Sequence, residues 1–397
     1  MTVPVSGTVF LNHSAQGGAE RSSFSHERRK VKNLNIADGI YQLHACFGYT
    51  EKGGAMFRIL ISLFGIFIRL MPLIVFYLAL YRDSMHGRLK KAGYTEKDMI
   101  VDGVRFHYAE SQDSHKPVLV LLHGHMLDWF SWRSVLIPLS EKYHVYAPDL
   151  PGHGKTVCPD DFEMNADNIG LHIARFIEKV TDQPVLIAGH SCGGLIALWL
   201  GAERPHTVRA LILEDPPLFS SEYPAIRNTS AYRTARVCAR AVKEDNEGDF
   251  LRFALRNDAD LFPRVRRSFL SLLIMISRKL HYNATVEIPF VSPVLREMIR
   301  GMDQYDPHFG QAFYDGTWNE NFNHADALCL IECPVLLLKG DSFTDSSGIL
   351  HGAMSEENAD FALSRLSRGS CVQISAASVI HTEAPEEYLK AVSLFLK

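Results

Sequence analysis

The hexapeptide Gly-His-Ser-Cys-Gly-Gly at 189–194 contains a serine in the pattern of an activated nucleophile. An apolar run ends at Ala188, and a second run without a helix breaker begins at Leu195. A Gly-x-Ser-x-Gly sequence between a strand and a helix places the serine on a sharp, strained turn, where a Cβ on a flanking residue would collide with the neighbouring backbone. We therefore predict that Ser191 is a nucleophile held out at the edge of a sheet.

A serine nucleophile also needs donors at the point where a negative oxygen forms. The peptide His123-Gly124-His125 follows another apolar run, and Cys192 directly follows the candidate nucleophile. We predict that the backbone N–H groups of His125 and Cys192 form this oxyanion site.

Composition excludes several other kinds of chemistry. The 397 residues include 41 Lys plus Arg and 45 Asp plus Glu. This slightly acidic composition lacks the excess of basic residues that is typical of nucleic-acid-binding proteins. The seven cysteines are odd in number and show no Cys-x-x-Cys spacing, which argues against a disulfide framework or a zinc site. We expect reduced thiols in a cytosol-facing protein, with no metal and no organic cofactor.

The elements around these residues alternate between strands and helices. Two alternating strands are predicted on either side of Asp102-Gly103, and helical spacing is predicted from Asn168 to Val180. Continuous apolar runs are typical of strands buried on both faces of a parallel sheet; they lie at 117–122, 145–147, 184–188, 208–213, 333–338 and 372–374. A closing helix is predicted from Glu386 to Leu396. This order predicts a mostly parallel sheet with helices on both faces.

The alternation of predicted strands and helices stops between Pro217 and Ala327, where the sequence is rich in arginines and aromatic residues and has no continuous strand pattern. We interpret this stretch as a helical cap, because ligands of open α/β sheets bind at the carboxyl ends of the strands. The predicted core is then 96–216 together with 328–397, and the cap is 217–327.

The N-terminal part has a different composition. Residues 1–55 mix small, polar and charged residues and are expected to be poorly ordered. Within 56–95, the apolar stretch 59–81 is long enough to span a bilayer, although Arg69 and Pro72 interrupt it. We predict a hydrophobic, membrane-spanning helix with a basic flank that leaves the larger domain facing the cytoplasm; the alternative is an interfacial helix that caps the domain.

The strand, the His-Gly turn, the Gly-His-Ser-Cys-Gly peptide and the cap together resemble the α/β-hydrolase superfamily over residues 96–397. The resemblance implies the α/β-hydrolase fold and a triad in the chain order serine, acid, histidine. A serine at position 191 speaks against the dehalogenase and epoxide-hydrolase branches, whose nucleophile is a carboxylate.

The same resemblance places the acid after one of two strands. Most members would use Asp341 or Asp345, and a smaller branch would use Asp215, beside Glu214. We favour Asp215, because the usual Gly-x-x-Asp spacing after Gly340 puts Phe343 in the acid's position.

The family's histidine follows the last strand in a Gly-His pair, a position that Ala377-Ser378 occupies here. His381, three residues later, is the provisional base. If Ser378 stands in the base's place, Ser191 lacks its proton acceptor.

The predicted function is a serine hydrolase that cleaves an ester, thioester or lactone of a small apolar acyl substrate through an acyl-enzyme, in association with a membrane and without nucleic acid. The alternative is a catalytically impaired binding protein on the same scaffold.

Overall fold

The structure is a computed structural model that describes residues 51–397 except 113–114, 246, 259–260, 263, 282–283 and 290. Residues 1–55 are predicted to be poorly ordered. Of these, residues 1–50 lie outside the described part of the chain. The chain is helical from Glu51 onward. The chain divides into two units between Leu70 and Met71, within this first helix.

Within the described residues, eight strands form the central sheet in the order β1-β2-β4-β3-β5-β6-β7-β10. Their bounds are β1 Thr95–Val101, β2 Val104–Glu110, β3 Val118–Leu122, β4 His144–Pro148, β5 Val185–His190, β6 Val208–Glu214, β7 Val335–Lys339 and β10 Gly369–Gln373. The β1–β2 and β2–β4 pairs are antiparallel and the other neighbours are parallel. The predicted hairpin at Asp102-Gly103 is confirmed by the pairing of Val101 with Val104. Strands β8 (Phe343–Thr344) and β9 (Leu350–His351) form a separate short ribbon.

Helices cover both faces of the sheet. In chain order, the helices before the cap are α1 Glu51–Leu80, α2 Ser84–Lys91, α3 Arg133–Ser140, α4 Ala166–Val180 and α5 Cys192–Glu203, and those after it are α12 Glu356–Arg365, α13 Ile380–Glu383 and α14 Pro385–Phe395. Buried apolar side chains form one cluster on each face of the sheet. The mostly parallel sheet flanked by helices is therefore confirmed.

The cap is inserted between β6 and β7. Its helices are α6 Ala231–Lys243, α7 Phe250–Asn257, α8 Arg264–Leu280, α9 Pro293–Met302, α10 Pro307–Asp315 and α11 His324–Leu330. Amphipathic spacing explains how the cap joins the domain, since its buried side chains belong to the same apolar cluster as one face of the sheet. The insertion therefore covers the ends of the strands that carry the candidate site.

The prediction of a membrane-spanning helix is not supported. No helix in the described part of the chain is both long and apolar enough to cross a membrane. Helix α1 covers the predicted apolar stretch, and it carries an exposed Arg69 and an internal Pro72.

Near its C-terminal end, α1 presents two different faces. Leu78 is buried in the apolar core, and its carbonyl accepts a hydrogen bond from His281 Nε2 at 2.9 Å. The opposite face exposes apolar side chains at Leu73, Phe76 and Leu80.

Candidate functional site

Ser191 lies on the turn between β5 and α5, in the position that the sequence predicts. Its φ of 52° and ψ of −120° are a strained conformation for a residue with a side chain. The Ser191 N–H donates to the Glu214 carbonyl at 2.8 Å, which holds the turn against β6.

Glycines on both sides make this turn possible. A Cβ on Gly189 would lie 2.2 Å from the Gly193 carbonyl oxygen, and a Cβ on Gly193 would lie 2.3 Å from the Leu122 carbonyl oxygen. The strand, the turn and the helix could not approach each other this closely with any other residue type.

Ser191 lines a cavity of about 390 Å³ between the sheet and the cap. His125, Cys192, Asp215 and Ser378 line the same cavity. The cap contributes much of its apolar wall, through Ile226, Ala231, Ala235, Leu261, Met298 and Phe313. The volume and the lining are those of a site for a small, largely apolar ligand.

The predicted oxyanion donors lie at this cavity. Cys192 begins α5, so its N–H has no carbonyl partner within the helix. His125 lies in a turn that is closed by a hydrogen bond from the Leu127 N–H to the Gly124 carbonyl at 3.2 Å. The structure thus brings both predicted donors beside Ser191.

The cap supports the His125 turn directly. A Cβ on Gly301 of α9 would lie 2.0 Å from the Met126 carbonyl oxygen, so α9 packs with its backbone against the turn. The neighbouring Arg300 donates from Nε to Asp128 Oδ2 at 2.7 Å, and both side chains are buried. The cap therefore positions the oxyanion turn as well as roofing the cavity.

Asp215 is the predicted acid that the structure brings to Ser191. It follows β6 directly with a φ of 43°, and its Oδ1 accepts the Gly340 N–H at 3.0 Å. Its Oδ2 is buried and has no hydrogen-bond partner among the described residues. Burial raises the pKa of Asp215 to about 7, because it penalises the charged carboxylate and the nearby Lys339 offsets this only in part.

The alternative acids are engaged elsewhere. Asp345 accepts hydrogen bonds from Ser347 and Ile349 within its own turn, and its Oδ2 pairs with His351 Nε2 at 3.0 Å. Asp341 accepts from Ser375 Oγ at 2.9 Å. Neither carboxylate lines the Ser191 cavity.

Ser378 lines the cavity, at the position where the resemblance places a histidine. The carboxylate of Glu383 holds its loop by accepting the N–H groups of Ala377, Ser378 and Val379 at 3.2, 3.0 and 3.0 Å. The Ser378 carbonyl in turn accepts a hydrogen bond from His190 Nε2 at 3.0 Å. The loop is well anchored, and it presents a hydroxyl where a triad needs an imidazole.

His381 is not among the residues that line the cavity. It is fully buried and stacks on Trp132 with ring centroids 3.8 Å apart. Its Nδ1 contacts both carboxylate oxygens of Glu214 at 2.8 Å, and its backbone N–H donates to the same carboxylate at 3.0 Å. Burial lowers the pKa of His381 to about 3. The structure therefore places His381 outside the lining of the Ser191 cavity, with Nδ1 held by Glu214 and Nε2 without a partner among the described residues.

Two residues with roles at the site were missed by sequence reasoning. Glu214 holds His381, and His190 ties the Ser378 loop to the nucleophile turn through the hydrogen bond described above. The second ring nitrogen of His190 has no partner among the described residues, and burial lowers its pKa to about 4. Their partners lie 167 and 188 residues away along the chain, so no local pattern marks either role.

Across the described residues, no group of three or more His, Cys, Asp or Glu side chains is arranged to hold a metal ion. The polar side chains at the cavity include Ser191, Asp215 and Ser378, the imidazoles of His125 and His190, and several hydroxyl groups of the cap.

Comparisons with known proteins agree with this architecture. A family model described as the alpha/beta hydrolase fold matches residues 117–326. Epoxide hydrolase 4 of Homo sapiens is 33% identical over 116 residues, which are 29% of this chain and 32% of that protein. The AB hydrolase superfamily protein YfhM of Bacillus subtilis is 30% identical over 118 residues, 29% of this chain and 41% of that protein. The matched region thus spans about a third of the length of the epoxide hydrolase and two fifths of the second relative.

Solved structures share the fold over a larger part of the chain. A putative lipase from Acinetobacter baumannii superposes with a TM-score of 0.56 at 24% identity, covering 80% of this chain and 96% of that chain. A membrane phospholipase A gives a TM-score of 0.57 at 22% identity, covering 86% and 98%. The family match spans more than half of the chain, and the sheet, the serine turn and the cap have the arrangement that it describes. The chain therefore belongs to the α/β-hydrolase fold family.

Proposed function

We propose that this protein binds an ester, thioester or lactone of an apolar acyl compound beneath the cap, and that Ser191 attacks its carbonyl carbon slowly. The observation that supports this proposal is the set of groups in one cavity: Ser191, Asp215 and Ser378 line it together, and His381 does not. The chain keeps the nucleophile and the acid of a hydrolase, and it has Ser378 where the family resemblance places the imidazole.

The proposed substrate class is based on the lining of the cavity and on the kind of bond that a serine nucleophile can cleave catalytically. The cap contributes apolar side chains beside a few hydroxyls, while Ser191, His125 and Cys192 lie at the turn, so a ligand would place its acyl chain against the cap and its carbonyl at the turn. The putative lipase and a thioesterase domain from the curacin pathway are named for ester and thioester substrates. We extend that bond class to this chain as part of the proposal.

Epoxide opening is a poorer match, although relatives carry that name. A carboxylate that opens an epoxide forms an ester, which water then cleaves. Serine would form an ether, which water does not cleave under the same conditions. With Ser191 in the nucleophile's position, the cycle would stop after one turnover.

The missing base sets the expected rate. In the proposed reaction the Ser191 oxygen adds to the carbonyl carbon, and the negative oxygen is stabilised by the N–H groups of His125 and Cys192. Because Ser378 replaces the imidazole, solvent water takes the serine proton, and the general-base contribution of about 10²–10⁴-fold is lost. Slow acylation is therefore expected, with binding retained because it depends on the cavity.

Labelling with a fluorophosphonate probe tests this proposal. We expect slow labelling of the wild type, none of Ser191→Ala, and labelling at least about tenfold faster in Ser378→His, which returns an imidazole to the cavity. His381→Ala, compared under conditions where it is folded, should label as slowly as the wild type. Fast wild-type labelling that is lost in His381→Ala would identify His381 as the base and overturn the proposal.

The alternative, a binding protein without catalysis, is favoured by Ser378 itself. The two differ in the Ser378→His variant. A folded variant that binds an apolar ester but is never acylated would leave only the binding function.

We also propose that the C-terminal half of α1 rests on a lipid surface. Leu73, Phe76, Tyr77 and Leu80 follow helical spacing along one face, with 63%, 65%, 48% and 68% of their surfaces exposed. Exposed basic residues follow directly at Arg82, Arg88, Lys90 and Lys91. An apolar face beside cations suits the boundary of an anionic membrane.

Co-sedimentation with vesicles of phosphatidylcholine and phosphatidylserine tests this second proposal. The full chain should bind, and the double variant Leu73→Ser/Phe76→Ser should lose most binding, whereas Val157→Ser, an exposed apolar residue elsewhere, should not. Equal binding by all three proteins would refute it.

A further inference from the structure

The buried carboxylate of Asp215 has one satisfied oxygen and one unsatisfied oxygen. Oδ1 accepts the Gly340 N–H, whereas Oδ2 has no partner among the described residues. Only 2% of the Asp215 surface is exposed. A buried acceptor without a donor is costly, and the cost is larger when the group is charged.

The cation that acts on Asp215 electrostatically is Lys339, and its ammonium group has other partners. Lys339 is buried, and its Nζ donates to the Gly340 carbonyl at 3.1 Å and to Ser342 Oγ at 3.2 Å, and pairs with Glu356 at 2.8 Å. Glu214, next to Asp215 in the chain, is engaged with His381. The part of the chain that the structure describes therefore offers Asp215 Oδ2 no hydrogen-bond donor.

The cavity reaches this carboxylate from the side of Ser191. Ser191, Asp215 and Ser378 all line it, and the side chain of Ser378 is much smaller than an imidazole. Ser378 and Ala377 are exposed, so this side of the cavity can be approached from solvent. The hydrogen bond from His190 to the Ser378 carbonyl ties this loop to the nucleophile turn.

We infer that the cavity between Ser191, Asp215 and Ser378 binds a nitrogen base of the imidazole type, carried by a ligand, which gives its N–H to Asp215 Oδ2 and receives the proton of Ser191. This inference rests on the proposed nucleophilic role of Ser191. It adds the chemical class of a second ligand group, so that a substrate or co-substrate supplies the base that is missing at position 378.

The proton balance of this step is simple. The lone pair of the base takes the Ser191 hydroxyl proton while Oγ bonds to the carbonyl carbon, and the carbonyl electron pair moves onto the oxygen held by His125 and Cys192. As the tetrahedral intermediate collapses, the protonated base returns that proton to the departing alcohol or thiol. Water then releases the acyl group by the same route, and the base leaves unchanged.

Hydrolysis of p-nitrophenyl hexanoate by the full-length protein, with imidazole added over a concentration series, tests this inference. We expect acceleration of at least about tenfold that saturates with imidazole, as binding requires. Ser191→Ala corrects for reaction in free solution and should give only a linear dependence. N-methylimidazole is a matched probe, since its neutral form has no N–H for Asp215, and it should accelerate the reaction much less.

Two variants complete the design. Asp215→Asn preserves the shape of the carboxylate but cannot accept from the base in the same way, and the saturable acceleration should fall by at least about tenfold. Ser378→His fills the space from within the chain, so it should be active without additive and insensitive to imidazole. Circular dichroism establishes that each variant is folded.

The outcomes separate the inference from the proposed function. If Ser378→His is active but imidazole does not accelerate the wild type beyond the Ser191→Ala control, the inference is wrong and the role of Ser191 stands. Equal acceleration by imidazole in the wild type and Asp215→Asn also overturns the inference. If no variant is acylated and Ser378→His is folded but inactive, both the inference and the proposed function fail.

Discussion

The carboxylate of Glu214 holds His381 at two points, through its ring Nδ1 at 2.8 Å and through its backbone N–H at 3.0 Å. Both side chains are fully buried. This pair joins the end of β6 to α13, directly behind the loop that presents Ser378. A histidine that follows the last strand is thereby part of the scaffold.

Breaking this pair should destabilise the fold. Removing one partner leaves the other buried without its hydrogen bonds, so Glu214→Ala and His381→Ala should each lower the free energy of unfolding by about 1–3 kcal/mol. Urea denaturation of both single variants and the double variant measures this. The double variant should lose at least about 1 kcal/mol less than the sum of the two single losses. Strictly additive losses would contradict a direct pairing.

The raised pKa of Asp215 predicts a pH dependence of stability. Burial raises that pKa to about 7, above the ordinary value of about 3.9. Between these values the unfolded state has lost the proton and the folded state keeps it, so stability falls as pH rises from about 4 to about 7 and then levels off. Asp215→Asn removes this loss.

Urea denaturation of wild type and Asp215→Asn across the pH range checks this prediction. The variant should be more stable than the wild type by at least about 1 kcal/mol at pH 8, with the difference shrinking toward pH 4. The difference between the two proteins cancels the contributions of other buried groups. A difference that stays constant with pH would show that Asp215 keeps its ordinary pKa.

Gly301 allows α9 to pack against the oxyanion turn. A Cβ there would lie 2.0 Å from the Met126 carbonyl oxygen, so Gly301→Ala must separate the cap from the turn. We expect a loss of about 1–3 kcal/mol in the free energy of unfolding, together with slower acylation of Ser191. Gly87→Ala is the matched control, because nothing lies within 4 Å of its added Cβ. Equal stability of the two variants would contradict the close contact.

Glu383 positions the loop that carries Ser378. In the Ser378→His background, Glu383→Ala removes the acceptor of three backbone N–H groups and should lower the rate of fluorophosphonate labelling at least about tenfold, because small displacements of a catalytic group are costly. Glu387→Ala, on the adjoining helix, is a control that should have no effect. An unchanged rate in Glu383→Ala would mean that the loop is held by other contacts.

The residue pattern by itself determined the fold class and the position of the nucleophile. Continuous apolar runs can only be buried strands in this setting, and a serine among glycines between a strand and a helix has one conformation available to it. The Asp102-Gly103 hairpin, Ser191, and the neighbourhood of His125 and Cys192 were therefore predictable, because each depends on contacts within a short stretch or on strand ends that meet at one edge of the sheet.

The tertiary structure decided the rest. Asp215, Asp341 and Asp345 all follow strand ends, and only the packing of β6, β7 and the last loop decides which of them shares the Ser191 cavity. His381 has the residue type of a base, but its burial against Trp132 and Glu214 directs it away from that cavity. The tertiary packing was decisive for these residues because hydrogen bonds between groups some 170–190 residues apart, as for His381 and His190, leave no periodic trace in the sequence.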